Sequence, residues 1–346
     1  MKKFLAFVLS GALLVSVLAG CGKTNNTGTA TEGNKGGKKV FALVAKDVNN
    51  PYMKKMYEGF ENACKEIGAE ALYKGPDQAT PEKQIEIINQ LVAQNVALIA
   101  IAANDANALQ PALKNAMDKG IKVLSLDSAV NKDSRQVHIQ QADPEKIGRG
   151  LIQAAYQMVD GNGGIAILSA TAQATNQNLW IEWMKKELDE NKDKYKSTPL
   201  VKVAYGDDDP TKSTNETTAL LTDPSIKVII APTTVGMLAG GKVLQDKKST
   251  VKLTGLGLPS EMAPFIEDGI CPWMYLWNPI DIGYLAAFSG DALVKGTITG
   301  KEGDKLTAGK LGEKAVTKAA DGGTEIMLGD PFKFDKNNIG EWKTVY

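Results

Sequence analysis

The chain has few of the residues on which most enzymes depend. It contains one histidine (His138), three cysteines and two arginines (Arg135 and Arg149). A single histidine cannot build a histidine-based metal site, and the sequence has no H-E-x-x-H, Walker A or clustered Cys/His motif. The segment 255–260 begins like a dinucleotide fingerprint, but it lacks the third glycine and is interrupted by Pro259. These absences disfavour an enzyme and predict no cofactor.

The first 21 residues have the pattern of an export signal. Lys2 and Lys3 precede an apolar run, Phe4 to Leu18, and small residues follow it. Cys21 stands directly after the expected cleavage site, which is typical of a bacterial lipobox. We therefore predict that residues 1–20 are a lipoprotein signal peptide and that Cys21 is acylated, which anchors the protein to the outer face of the cell membrane. An uncleaved anchor is disfavoured, because the run is shorter than the roughly 20 residues of a spanning helix.

Residues 21–38 are rich in Gly, Thr, Asn and Lys and are predicted to form a flexible tether. The chain has 40 basic and 40 acidic residues, and loss of the signal leaves 38 basic residues against 40 acidic ones. The mature chain therefore has a formal charge of −2. This balance predicts no basic surface for nucleic acid and no polybasic membrane patch.

From residue 39 onward, short apolar runs alternate with helical patterns, and the rhythm begins again near residue 146. Such alternation predicts an α/β fold of two doubly wound parallel-sheet lobes joined by a hinge. The predicted strands are 40–45, 71–73, 96–102, 122–126, 137–141, 164–168, 200–205, 228–231, 251–256 and 271–277. The predicted helices are 51–67, 81–93, 109–118, 146–159, 178–191, 211–221, 235–245, 259–267 and 280–295.

The remaining cysteines and the histidine lie in apolar patterns. Cys64 falls on a predicted helix and Cys271 on a predicted strand, and we expect two small buried thiols, with pairing outside the cell as the alternative. His138 lies between Val137 and Ile139 in a predicted strand. It is expected to be a hydrogen-bonded core or hinge-edge residue.

Polar residues follow nearly every predicted strand. In doubly wound sheets, ligands bind outside the carboxyl ends of the strands. Lys46 and Asp127 are not well placed to cap a helix, and an ammonium group and a carboxylate suit the hydroxyls of a small polyhydroxylated ligand. Asp209 and Thr211 are interpreted as helix caps, while Thr234 fits either role. The aromatic residues among the strand ends would offer flat faces to the C–H side of a sugar.

The anchor, the tether and the two lobes together resemble a solute-binding protein of a bacterial ABC importer. The resemblance is to the sugar-binding group of the type I periplasmic-binding fold, and it covers the chain from about Val40 to the end. Two sister groups are most similar, the rhamnose-binding proteins and the LsrB-type receptors for autoinducer-2. The segments that carry this resemblance are 75–77, 103–105, 167–171, 174–178, 231–236, 255–260, 276–279 and 334–339.

The resemblance also implies a set of ligand contacts. The ligand-holding residues of autoinducer-2 receptors fall on Lys46, Asp127 and Gln177, whereas Asn176 and Thr234 depart from the receptor pattern and resemble the rhamnose group. The other predicted contacts are Pro232, Asn278 and the aromatic walls Tyr52, Trp180 and Trp277.

The pocket is expected to carry little charge. Ser128 and Gly257 stand where ribose-type relatives have an arginine and an acid. A pocket with fewer charges suits either methyl-bearing ligand, and the sequence alone places autoinducer-2 narrowly ahead of rhamnose.

The resemblance predicts a monomeric receptor that closes around its ligand and docks on an ABC permease. Lobe one is predicted to comprise 39–141 plus 279–308, and lobe two 142–278 plus 309–346, with chain crossings near 141–143, 278–279 and 306–311. A sugar-responsive repressor could share this core, but it would need an N-terminal helix-turn-helix and a basic surface. An extracytoplasmic enzyme is the third alternative, disfavoured by the missing motifs.

Overall fold

The structure is a computed structural model that describes residues 38–346, which form one unit. Strands and helices alternate along these residues. The predicted signal peptide, the tether up to residue 37 and the acylation site Cys21 lie outside the described residues. Within the described range, no helix is both long enough and apolar enough to cross a bilayer.

The strands, in chain order, are β1 (Val40–Val44), β2 (Glu70–Lys74), β3 (Leu98–Ile101), β4 (Lys122–Leu126), β5 (Val137–Gln140), β6 (Gly164–Ser169), β7 (Leu200–Tyr205), β8 (Ile226–Ala231), β9 (Lys252–Gly255), β10 (Trp273–Leu276), β11 (Lys305–Thr307), β12 (Glu313–Ala315), β13 (Thr317–Lys318), β14 (Thr324–Met327) and β15 (Phe332–Asp335).

The helices are α1 (Pro51–Ile67), α2 (Pro81–Ala93), α3 (Gln110–Asp118), α4 (Pro144–Met158), α5 (Thr175–Glu190), α6 (Lys192–Tyr195), α7 (Pro210–Leu220), α8 (Thr234–Asp246), α9 (Pro259–Glu267), α10 (Pro279–Lys295) and α11 (Ile339–Trp342). Single 3₁₀ turns occur at Lys132–Ser134 and Gly309–Leu311.

The larger sheet has seven strands in the order β13-β14-β5-β4-β3-β1-β2, and all pairs are parallel except β13 with β14. Side chains alternate between the two faces of a strand. Phe41 of β1 accordingly packs in the cluster that includes Phe60 of α1, whereas Val44 packs with Ile88 of α2 and Leu113 of α3. Both faces of this sheet are therefore covered by helices.

The smaller sheet has four parallel strands in the order β7-β6-β8-β9. A bridge between Leu256 and Tyr275 places β10 beside its β9 edge, and β15 pairs antiparallel with β10. Helices α4, α7 and α8 pack against this sheet, and α5 packs on α4. The two sheets confirm the predicted α/β fold with two doubly wound halves. We call the larger sheet with its helices the first lobe, and the smaller sheet with its helices the second lobe.

Helix α10 joins the first lobe by packing closely against α1. A Cβ atom at Gly59 would overlap the carbonyl oxygen of Ile280, and one at Gly283 would overlap that of Met56. Only glycine allows the two backbones this approach. The contact returns residues 279–295 to the lobe formed by the start of the described chain.

The structure differs from the predicted division of the chain at residues 317–327. We expected all of 309–346 in the second lobe, with a crossing near 306–311. Instead, β14 pairs parallel with β5, and β13 pairs with β14, so both strands extend the larger sheet. The chain passes to the second lobe only at 328–331, before β15 pairs with β10. The sequence gives no sign of this, because β13 and β14 are two and four residues long and carry no continuous apolar run.

Cys64 and Cys271 are buried, and neither forms a disulfide within the described residues. Burial is the main reason that the pKa of the Cys64 thiol rises to about 12. His138 is also buried, and its Nδ1 shares a hydrogen bond of 2.8 Å with Oγ of Ser125. Both thiols and the histidine therefore belong to the core, as predicted.

Candidate functional site

The candidate site lies where the strand order of each sheet reverses. From β1 the chain goes to β2 on one side and β3 on the other, and β6 likewise lies between β7 and β8. A crevice forms outside the carboxyl ends of strands at such points. Here it is a cavity lined by residues of both lobes. Its lining residues are Lys46, Asn50, Tyr52, Met53, Asp127, Asn176, Gln177, Trp180, Asp208, Pro232, Thr233, Thr234, Leu256, Leu276 and Trp277.

A buried ion pair lies in this cavity. Nζ of Lys46 is 3.1 Å from Oδ2 of Asp127, and the two side chains are only 7% and 4% exposed. Asn104 fixes the backbone at the end of β1 by donating from Nδ2 to the carbonyl oxygen of Lys46 at 3.0 Å. A buried pair is stable only when further hydrogen bonds satisfy both groups, and the neighbouring side chains supply them.

Asp127 is held in a left-handed backbone conformation, with φ of 62°. Its Oδ1 accepts a hydrogen bond from the hydroxyl of Tyr52 at 3.2 Å, and Nε2 of Gln141 lies 3.5 Å away. Non-glycine residues in this region are strained and concentrate at functional sites. In this conformation the carboxylate lies within ion-pair distance of Lys46.

Asn176 connects the second lobe to this pair. Its Oδ1 accepts from Nζ of Lys46 at 3.2 Å, and its Nδ2 donates to Oδ2 of Asp127 at 3.2 Å. Helix α5 begins at Thr175 rather than at the predicted residue 178, so Asn176 lies in its first turn. The earlier start has no sequence signal, because the N-cap residue Ala174 has no capping side chain.

Gln177 follows in the same turn. Its Oε1 accepts from Oγ of Ser169 at 2.7 Å and from the backbone N–H of Ala170 at 2.8 Å. Both partners lie at the end of β6. Because its oxygen is occupied, the amide NH₂ is the group left to donate to a ligand.

Three aromatic rings form one wall of the cavity. Nε1 of Trp277 donates to the Tyr52 hydroxyl at 2.6 Å, and the ring centroids of Trp180 and Trp277 are 5.8 Å apart. Nε1 of Trp180 is buried and has no hydrogen-bond partner within residues 38–346. Burial, reinforced by the charge of Asp127, raises the pKa of Tyr52 well above 10, so its hydroxyl stays protonated.

The structure thus places nine of the ten predicted contacts around one cavity and puts Asn278 elsewhere. Asn278 is the N-cap of α10, and its Oδ1 accepts from the N–H of Ile280 at 2.9 Å. Thr234 is the first residue of α8 rather than its cap, which is Thr233. Asp209 caps α7, as expected, by accepting from the N–H of Lys212 at 2.6 Å.

Asp208 is a lining residue that the sequence analysis missed. It lies in the loop after β7, with φ of 53°, and its Oδ1 accepts from Oγ1 of Thr233 at 2.5 Å. Burial raises the pKa of its carboxyl, while the charge of Lys46 acts in the opposite direction. The only sequence signal would have been the run of three aspartates directly after a strand.

Comparison with known proteins identifies the family. The model of the periplasmic binding protein domain matches residues 41–298. The structure of an ABC transporter solute-binding protein from Clostridium phytofermentas with bound L-rhamnose is 48% identical, with a TM-score of 0.86. That match covers 90% of this chain and 99% of the other.

Two further matches are more distant. LsrB from Clostridium saccharobutylicum in complex with AI-2 is 22% identical, covers 88% of this chain and 99% of its own, and has a TM-score of 0.81. The fructose import binding protein FruE of Bifidobacterium longum is 28% identical over 145 residues, which are 42% of this chain and 41% of FruE. The chain thus spans less than half the length of this curated relative.

The LsrB match shows the fold alone, while the family model and the 48% identity over nearly the whole described chain carry the assignment. This chain belongs to the periplasmic binding proteins and, within them, to the extracytoplasmic solute-binding proteins of ABC transporters, which bind their ligands without converting them.

Proposed function

We propose that the protein is a lipid-anchored receptor that captures L-rhamnose, or a closely related 6-deoxyhexose, between its lobes and delivers it to an ABC permease. The observation that carries this proposal is the buried cluster of Lys46, Asp127 and Asn176, which lines the same cavity as Trp180 and Trp277. The 48% identical relative with bound L-rhamnose supports the choice of sugar.

The chemistry of the cavity suits one small sugar. Asp127 accepts from hydroxyls, Lys46 and Gln177 donate to hydroxyl or ring oxygens, and Asn176 can do both. The indole faces of Trp180 and Trp277 provide an apolar surface for the C–H side and the methyl group of a deoxy sugar. These groups combine the few oriented polar contacts and the apolar wall that small-molecule sites share.

Autoinducer-2, which the sequence analysis placed first, becomes the competing ligand. Lys46, Asp127 and Gln177 fit either ligand. Asn176 and Thr234 are the positions that depart from the autoinducer-2 pattern, and both line the cavity. The likeness to LsrB at 22% identity supports the fold and not the ligand.

Capture would follow from closure of the two lobes. We assign 39–140 and 279–327 to the first lobe and 144–276 and 332–346 to the second, with hinge segments between them. Hinge closure around a ligand is the usual motion of such two-lobed binders. The receptor is proposed to act as a monomer, tethered through acylated Cys21.

The ligand is tested by calorimetry on the full-length chain in detergent. The titrants are L-rhamnose, L-mannose, which differs from it by a 6-hydroxyl, D-ribose and autoinducer-2. We expect L-rhamnose to bind, with L-mannose roughly 10-fold or more weaker because a hydroxyl would meet the apolar wall. Binding of autoinducer-2 without L-rhamnose would reverse the choice of ligand, and binding of neither would refute both candidates.

The anchor is tested separately with a Cys21→Ser variant. We expect the wild-type chain to incorporate labelled palmitate and to sediment with membranes, and the variant to do neither. Membrane association that survives in the variant would contradict a lipid anchor at this residue.

A further inference from the structure

Asp208 brings a second carboxylate to the cavity, from the lobe opposite Asp127. We propose that Asp208 is a specificity-determining ligand residue, which accepts a hydrogen bond from a hydroxyl of the sugar and restricts the site to neutral polyols. The inference rests on the proposed function, because it assumes a polyhydroxylated ligand.

The first argument is the state of its carboxylate. Oδ1 is held by the Thr233 hydroxyl at 2.5 Å, and Thr233 is itself buried at the start of α8. Within the described part of the chain, no other donor bonds to the Asp208 carboxylate. One oxygen therefore fixes the orientation of the group, and the other retains its capacity to accept.

The second argument is the contrast with its two neighbours. Asp207 is half exposed and forms an ion pair with Lys212 on the surface, and Asp209 caps helix α7. Asp208, between them, is the one of the three that lines the ligand cavity. Its left-handed backbone, with φ of 53°, is a conformation that aspartate adopts more readily than most residues.

The third argument is the charge around Lys46. Asp127 forms an ion pair with Lys46, and Asp208 interacts electrostatically with the same ammonium group from the second lobe. One cation between two carboxylates leaves an excess of negative charge. Such a site attracts hydroxyl donors and repels an anionic sugar such as a uronate. Hydroxyls that bond to Asp127 and Asp208 together would also link the lobes through the ligand.

The test compares Asp208→Asn with Asp207→Asn in the full-length chain. Asparagine tolerates the left-handed backbone and can still accept from Thr233, but it offers an NH₂ in place of the second acceptor oxygen. We expect Asp208→Asn to weaken L-rhamnose binding roughly 10- to 100-fold, as for loss of a charge-assisted hydrogen bond. The matched control removes the same charge one residue away, outside the cavity lining, and is expected to stay within about twofold.

Monodeoxy analogues of L-rhamnose identify the hydroxyl. One analogue should bind weakly to the wild type, and its penalty should disappear in Asp208→Asn, because the two changes remove the same contact. Wild-type affinity in Asp208→Asn, or equal losses in both variants, would overturn the proposal. A wild type that binds autoinducer-2 instead refutes the choice of rhamnose, and the two variants then test Asp208 with that ligand. A wild type that binds neither overturns both proposals.

Discussion

Replacement of Lys46 by methionine tests whether the Lys46–Asp127 ion pair is shielded from water. Methionine fills a similar volume but leaves Asp127 as a buried charge without its cation. The ions are 3.1 Å apart, so their attraction is about 5 kcal/mol at an effective dielectric constant of about 20. Removal of one partner of such a pair costs roughly 3–5 kcal/mol, because the remaining charge stays desolvated.

The chain provides a control with the same geometry in water. Lys55 and Glu58 are also 3.1 Å apart, but their side chains are 34% and 50% exposed. Exposed pairs contribute about 0–1 kcal/mol, so Lys55→Met should lower the free energy of unfolding by less than about 1 kcal/mol. The N–O distance and the Lys→Met change are matched, so a larger loss at Lys46 reflects the buried setting of the pair and its bond to Asn176.

The assay is urea unfolding of Lys46→Met, Asp127→Asn, the double variant and Lys55→Met, without ligand. We expect the double variant to be more stable than the sum of the two single losses predicts, since neither charge is then left unpaired. If Lys46→Met costs no more than Lys55→Met, the pair is hydrated in solution. The argument from burial would then be refuted.

Two further predictions concern the core. The pKa of His138 is lowered to about 3, first by burial and then by the charge of Arg135, whereas an unfolded histidine titrates near 6.5. Between these values the unfolded chain binds a proton that the folded chain does not, so the free energy of unfolding should fall by about 1.4 kcal/mol per pH unit on acidification. Urea unfolding at pH 7 and pH 5 measures this loss, which should be smaller by roughly 2 kcal/mol in His138→Gln. An equal loss in the variant would contradict the assignment. Gly59→Ala should destabilise the protein by more than about 2 kcal/mol, because α1 must move away from α10. Gly150→Ala in α4 should stabilise it by about 0.5–1 kcal/mol, because the added Cβ has no atom within 4 Å. Thermal unfolding that ranks the two variants in the opposite order would contradict the packing argument.

The sequence predicted best the elements with local signals. Helix α1 has the predicted bounds, since Pro51 opens it and Gly68, with φ of 76°, ends it. Strands β13 and β14 were missed because two to four residues carry no periodicity. In addition, β14 pairs with β5 across 187 residues of chain (Glu325 with His138), and β13 pairs only with β14.

In the candidate site, too, only the residues with a local sequence signal were predicted. Lys46 and Asp127 stand out because a charged residue directly after a buried strand has few structural roles. Asp208 does not, since β7 is only partly buried and the three aspartates after it resemble a solvated turn. Its place in the cavity depends on the backbone angle of the loop and on β7 lying beside β6, and both are properties of the tertiary fold.

The late return of residues 317–327 to the larger sheet also bears on the order in which the protein can assemble. Until β14 has been synthesised, β5 has no neighbour on one side and presents its backbone groups as an unprotected edge. The second lobe is also incomplete at that stage, because β15 and α11 follow β14 in the chain. Neither half can therefore be completed before residues 317–346 are made. A fragment that ends before residue 324 is expected to lack both finished halves and to be prone to edge-to-edge association, which proteolysis and light scattering of such a fragment would measure.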